Sequence, residues 1–530
     1  MPRRLAALFR AGTAIGLAGL VMASAPAAEP EAADLLIRGG TIYTGSAEPF
    51  TGEIAIRGDR IVYVGPKAPL RAARTIEAKG LVVAPGFIDP HAHVEGMLQA
   101  DDPARRLVLP FLMQGVTTAF IGNDGGGGTD VAKTLRTRSG AVGINFATYV
   151  GFGPVRKQVV GEAARAATPG EVTAMQRIVA DAMCNGALGL SAGLFYAPQS
   201  FAATDEVIAL AREAGKRGGF YDTHLRNESS FDDGLIKAID ETLSIGREGA
   251  VPVHIAHLKL TGEKLPELGA TVIARIEQAQ AAGQIVHADQ YPWAASSTAL
   301  SALIMPRWAQ DGGRKAMLAR FDNAETLTRI RTEMRENLRR RSGPAAVLVT
   351  SGPAEVRGKT LADIAKARGV DPVDAAIDLL RVDEVNIVSF SQDETMVEAI
   401  MRRPWVMTGS DASAGHPRMY GSYARKYAHY VQERGVIPLR DFIERSSTLA
   451  AGRFGLEGRG HLRAGAFADV VLFDPARYAA RADYVQPALF AKGVDTVIVN
   501  GVVAVEDGAP TGAAAGRPLP RTPPAGTCPR

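Results

Sequence analysis

The sequence predicts an α/β fold: a TIM (β/α)8 barrel with a small β-sandwich domain built from both chain ends and an inserted cap before the last barrel strand. Three observations predict it. Short apolar runs that end in polar residues alternate with helical stretches through the middle of the chain. Strand-like alternation appears at both ends instead. The regular alternation is broken once, before the last run, by a long charged stretch.

At the N-terminus, Arg3, Arg4 and Arg10 precede an apolar stretch, 11–22, and a small-residue stretch, 23–28, so residues 1–27 read as a signal peptide. That run is too short to span a bilayer comfortably, and the expected location is periplasmic or secreted. Residues 28–80 carry short strands; 53–57 and 60–64 flank Gly58-Asp59 as a hairpin. In the barrel domain, 81–450, the apolar runs are 81–88, 117–121, 145–150, 187–190, 220–223, 251–256, 284–288 and 406–408. Helical stretches such as 171–184 and 204–216 lie between them. The insertion, about 300–388, includes a charged helix over 327–341 and reads as a lid over the barrel mouth. Strands return over 451–510, where Asn500-Gly501 is a strong two-residue turn. The tail, 511–530, is rich in Pro, Gly and Ala and reads as flexible.

Composition narrows the function. The chain of 530 residues has 60 Lys+Arg against 56 Asp+Glu, a net charge of +4, and no basic patch that marks a nucleic-acid or membrane partner. A small-molecule substrate is expected, and a homo-oligomer stays open. Cys184 and Cys528 form no metal knuckle. With Cys528 in a loose tail, the expectation is that they do not pair. Gly125 to Gly128 could suggest a phosphate cradle, but no Lys-Ser/Thr pair comes after them.

The histidines carry the chemistry. Of nine, four fall just after apolar runs: His91 and His93 after the first, His224 after the fifth, His257 after the sixth. Asp411 comes after the eighth. An i, i+2 pair on extended chain points both rings the same way. Barrel active sites lie at the C-terminal ends of the strands, so these five N/O donors converge and suit Zn²⁺ or a similar divalent ion. One histidine alone would read as a satisfied core side chain; four at strand ends do not. His254 is expected to be structural.

The stretch Pro85-Gly86-Phe87-Ile88-Asp89-Pro90-His91-Ala92-His93, with Gly409-Ser410-Asp411, resembles the amidohydrolase superfamily. Four further stretches resemble the N-acyl-D-amino-acid deacylases (D-aminoacylases). They are the segment from Gly189 to Pro198, Asp289-Gln290-Tyr291-Pro292-Trp293 with Ser297-Thr298, His416-Pro417-Arg418, and the segment from Gly465 to Pro475. The resemblance runs in order from about residue 34 to 505. It implies one or two zinc ions held by His91, His93, His224, His257 and Asp411. It also implies substrate-carboxylate contacts at Tyr196, Lys259, Tyr291, Ser297 and Arg418, with Arg226 nearby. A guanidinium fork with an ammonium and phenols can hold a free carboxylate.

One departure is plain. The family has Gly-Asn-Cys-Gly after the second strand, its Cys a metal ligand; here the residues are Gly122-Asn123-Asp124-Gly125. Asp124 is expected to ligate or bridge the ions in place of the thiolate. The reaction expected is metal-dependent hydrolysis of N-acyl amino acids, D-enantiomers by resemblance, with Asp411 as acid–base. Two alternatives stand beside it: the same chemistry on an L-acylamino acid, dipeptide or cyclic amide, and a non-catalytic binding protein on this scaffold.

Overall fold

A computed structural model describes residues 33–136, 141–229, 234–262 and 265–529. The expected signal peptide lies outside them. Among the described residues no helix is long and apolar enough to cross a membrane.

The two chain ends share one sheet. Ala33–Ile42, Phe50–Arg57, Arg60–Gly65, Ala72–Glu77 and Val82–Pro85 come from the N-terminal side. Val470–Phe473, Val494–Val499, Val502–Glu506 and Ala509–Pro510 come from the other. They join where Val82–Pro85 pairs antiparallel with Val470–Phe473. The predicted turns are present: Arg57 pairs with Arg60, and Val499 pairs with Val502 around Asn500 and Gly501, both at positive φ.

Eight parallel strand segments form the barrel wall: Phe87–Asp89, Val116–Ile121, Asn145–Thr148 continued by Val150–Gly151, Gly189–Gly193, Phe220–His224, Val253–Ile255, Val286–Gln290 and Val406–Thr408. The first and last meet where the Asp411 amide donates to the His91 carbonyl at 2.9 Å and the His93 amide to the Ala412 carbonyl at 3.1 Å. The single run expected over 81–88 is in fact two strands. Val82–Pro85 belongs to the outer sheet, Phe87–Asp89 to the barrel, and the chain breaks at Gly86, where any Cβ would collide with the Thr117 side chain. Periodicity cannot see that break, because both halves are buried and apolar.

The insertion has its own core. Ser296–Ala299, Val347–Val349 and Asn386–Ser389 form a three-stranded antiparallel sheet. Helices Leu300–Ile304, Ala324–Arg340, Leu361–Arg368 and Pro372–Val382 pack on it through residues such as Ile330, Met334, Leu361 and Leu380. The charged helix starts at an Asn323 side-chain cap, as its polar N-terminus requires.

Two expectations about the tail are corrected. Cys184 and Cys528 form a disulfide, with Cα atoms 5.7 Å apart. The segment reading as flexible is pinned along its length. Gly516 bridges to Val142 and Pro518 to Phe146, the Arg521 amide donates to the Gly186 carbonyl at 3.0 Å, and the Arg521 guanidinium lies over the Phe220 ring. The anchors sit at the N-terminal ends of three barrel strands, so the tail covers the barrel's lower end. Pro and Gly exclude regular structure, not order: a Pro-rich chain has little entropy to lose and binds well to a groove.

Candidate active site

The predicted ligands converge at the upper end of the barrel. His91 Nε2 and His93 Nε2 are 3.4 Å apart, and His224 Nδ1 and His257 Nε2 are 2.9 Å apart. Asp411 Oδ1 lies 3.6 Å from His91 Nε2 and 3.3 Å from His93 Nε2. Asp124 stands between the two pairs. Its Oδ1 is 3.6 Å from His91 Nε2, 3.7 Å from His224 Nδ1 and 3.2 Å from His257 Nε2; its Oδ2 is 3.4 Å from His93 Nε2.

Apart from the His224–His257 contact, which at 2.9 Å is a hydrogen-bond distance, these separations are close to those of metal ligands. Donors about 2.0–2.2 Å from one tetrahedral ion stand about 3.3–3.6 Å from each other. The Asp124 Oδ1 atom is buried without a hydrogen-bond partner, which is costly unless a cation faces it. The donors define two positions. His91, His93, Asp411 and Asp124 could hold one ion, and His224, His257 and Asp124 a second.

The backbone reaches these positions by unusual conformations. Asp124, His257 and Asp411 have φ of 55°, 35° and 48°, a region that non-glycine residues enter at a cost. Strained backbone at three of the converging positions is the pattern of a functional site, since regular strand geometry would aim these side chains elsewhere. Beneath them, buried carboxylates set the rings. Asp89 Oδ1 accepts from the amides of His91 and Ser410. Asp289 Oδ2 accepts from the His257 amide and pairs with His254 Nε2 at 2.8 Å, so His254 is structural, as expected. Burial pushes the Asp89 carboxyl up to about 7. Burial also acts against charge at Asp124 and Asp411. Neighbours outweigh it: His257 and His91 hold Asp124 well below the usual carboxylate range, and the Arg418 guanidinium does the same for Asp411.

A cavity of about 330 Å³ opens beside these residues, within the range of small-molecule sites. Tyr196, Lys259, Ser297 and Arg418 line it. Burial holds the Tyr196 phenol well above its ordinary value, so it remains a donor. Arg418 is fixed by His416, which accepts from the Arg418 amide at 3.0 Å while its Nε2 donates to the Ala295 carbonyl. Two expected contacts are not at the surface of this cavity. Tyr291 lies behind it, its ring 5.1 Å from the Arg418 guanidinium carbon and its hydroxyl accepting from Gln392. Arg226 turns away to form a paired contact with Glu241 at 2.8 Å and to donate to the carbonyls of Ser200 and Ala202. The structure does not bring Arg226 into the cavity: its half-buried guanidinium is held by the nearest carboxylate.

Sequence reasoning missed Glu228 and Arg341. Glu228 is buried, with Oε1 2.5 Å from Lys259 Nζ. Its signal was an acidic residue four positions after a ligand histidine in the same βα loop. Arg341 comes from the insertion, lines the cavity and donates to Thr261 Oγ1 at 2.9 Å. Nothing in the run Arg339-Arg340-Arg341 marks which guanidinium turns inward.

Comparison with known proteins agrees. The model of the Amidohydrolase family matches residues 74–505. A D-aminoacylase of Alcaligenes xylosoxydans xylosoxydans is 35% identical over 522 residues, spanning 92% of this chain and 98% of that one. A solved D-aminoacylase, described for its binuclear metal center with one-metal activation and second-metal attenuation, superposes with a TM-score of 0.79. It is 32% identical and covers 92% of this chain and 100% of that one. An N-acyl-D-glutamate deacylase from Bordetella bronchiseptica, complexed with zinc and a phosphonate mimic of the tetrahedral intermediate, has a TM-score of 0.77. Its identity is 29%, covering 93% of this chain and 100% of that one. The chain belongs to the amidohydrolase family, among the N-acyl-D-amino-acid deacylases, and is a metal-dependent hydrolase.

Proposed function

We propose that this protein hydrolyses the amide bond of N-acyl-D-amino acids with zinc as its ion, releasing a carboxylic acid and a free amino acid. The observation that carries the reading is the placement of Asp411. It stands within ligand distance of His91 and His93 and at the same time faces a cavity lined by Lys259, Arg418 and Tyr196. A bound divalent ion supplies acidity to a water, lowering its pKa to about 7, and charge to polarise the amide carbonyl.

The chain's residues do the rest. Asp411, kept ionised by Arg418, accepts the proton of the attacking water and hands it to the leaving nitrogen. Lys259, Arg418 and Ser297 hold the free carboxylate of the amino-acid half, which fixes the scissile bond beside Asp411. The Tyr196 phenol donates to substrate oxygen. Preference for the D-enantiomer is supported by the relatives, which are named for D-compounds. Asp124 would help hold the ions in place of the thiolate, its Oδ1 facing His91, His224 and His257 and its Oδ2 facing His93. An oxidising compartment, periplasmic or secreted, is supported by the Cys184–Cys528 disulfide.

The test is a screen of N-acetyl and N-formyl D- and L-amino acids with the zinc-loaded protein. Release of amine from D-substrates is expected. Chelation should abolish it and zinc should restore it. Equal rates on both enantiomers would overturn the stereochemical reading, and full activity in metal-free protein would overturn the mechanism.

A further inference from the structure

Glu228 is surrounded by hydrogen-bond donors. Its Oε1 lies 2.5 Å from Lys259 Nζ and 3.4 Å from His257 Nδ1, and its Oε2 lies 3.6 Å from His224 Nε2. All four side chains are buried. His224 and His257 face Asp124 with their opposite nitrogens, Nδ1 and Nε2.

The valence of imidazole assigns the hydrogens. A ring that gives one nitrogen to an ion carries its hydrogen on the other and can only donate there. With His224 Nδ1 and His257 Nε2 turned to the ion, His224 Nε2–H and His257 Nδ1–H are both donors. Lys259 Nζ is a third, only 2.8 Å from His257 Nδ1. That contact is a hydrogen bond only while His257 Nδ1 accepts from the ammonium; once Nδ1 carries the hydrogen, the two donors must both turn to an acceptor. Among the described residues the nearby anion is Glu228. His224 Nε2 otherwise has no hydrogen-bond partner, a costly state for a buried donor. His224, Glu228 and His257 also stand close enough together to hold a cation, but the Lys259 ammonium lies there already, with Nζ 2.5 Å from Glu228 Oε1 and 2.8 Å from His257 Nδ1.

We infer that Glu228 is a positioning residue. It fixes the tautomer and aim of His224 and His257 toward one metal position and holds Lys259 at the edge of the substrate cavity, so that one carboxylate ties ion binding to substrate-carboxylate binding. The inference rests on the metal site proposed above and makes a claim about a residue that touches neither the ion nor the reacting bond.

Zinc affinity, measured by competition with a chromophoric chelator, tests it. Glu228→Gln keeps the shape but presents an amide to three donors. One zinc equivalent should bind about 10–100-fold more weakly, the range for losing such a support, while the equivalent held by His91, His93 and Asp411 stays as tight as in wild type. That second equivalent also reports that the variant is folded. Lys259→Met is the complementary variant. It removes the competing donor, so zinc should bind as tightly or more tightly while KM rises. An E228Q protein that holds both equivalents with wild-type affinity overturns the inference, and so does a K259M protein that loses zinc. Wild-type protein that binds no zinc would fail the underlying metal reading instead, which separates the two.

Discussion

Arg418 Nη1 lies 2.7 Å from Asp411 Oδ2, with both side chains buried. The residue expected to clamp the substrate is therefore also the counter-ion of the acid–base. A variant should show both jobs. Arg418→Ala is expected to lower kcat/KM by about two to three orders of magnitude, as for loss of a charged, desolvated contact. The split matters more than the size. A pure clamp would move KM alone, whereas here kcat should fall too. The pH effect has a definite sign. Without the guanidinium, burial of Asp411 is opposed only by the histidines around it, its carboxyl rises, and the acid limb of the kcat profile moves to higher pH. An acid limb that stays in place would show that the ion pair is structural only.

Asp411→Asn keeps the shape and removes the base. The fold should survive, and kcat should fall at least about a hundredfold, the usual scale of acid–base assistance. Stopped assays of product formation with parallel zinc analysis decide it: near-normal kcat with full zinc would remove Asp411 from this role.

Asp124 is the position where family and chain differ. Its oxygens reach both histidine pairs at 3.2–3.7 Å. Asp124→Ala should lose zinc and activity together. Asp124→Cys should keep zinc, bound more tightly because thiolate is the softer ligand. If Asp124→Ala retained all its zinc and its rate, the histidines and Asp411 would suffice.

The tail predicts a change in stability without a change in chemistry. Cys184 and Cys528 are 344 residues apart in sequence, and cross-links over long loops typically stabilise by about 2–5 kcal/mol. Cys528→Ser, or reduction, should lower the melting temperature by several degrees. The kcat of the folded enzyme should not move, because the tail lies at the end of the barrel opposite the site. A matching loss of kcat at low temperature would contradict that separation.

Much of this protein is legible along the chain. Apolar runs ending in His93, His224, His257 and Asp411 predict a barrel and the convergence of these side chains at its mouth, because a strand's period and the strand-end rule are local properties of the chain. Asp124 was visible as a departure at a known place. Relations between distant segments came only with the folded chain. Gly86 splits one apolar run into strands of two domains because Thr117 lies against it. Arg226 leaves the cavity because Glu241 captures it, and Arg341 enters because the fold of the insertion turns it inward. Glu228 becomes important only when Lys259 and two imidazoles crowd around it, and Cys528 reaches Cys184 because the tail runs under the barrel. Burial and pairing of charge are set by what surrounds a side chain in space, and that is not written in its sequence neighbours.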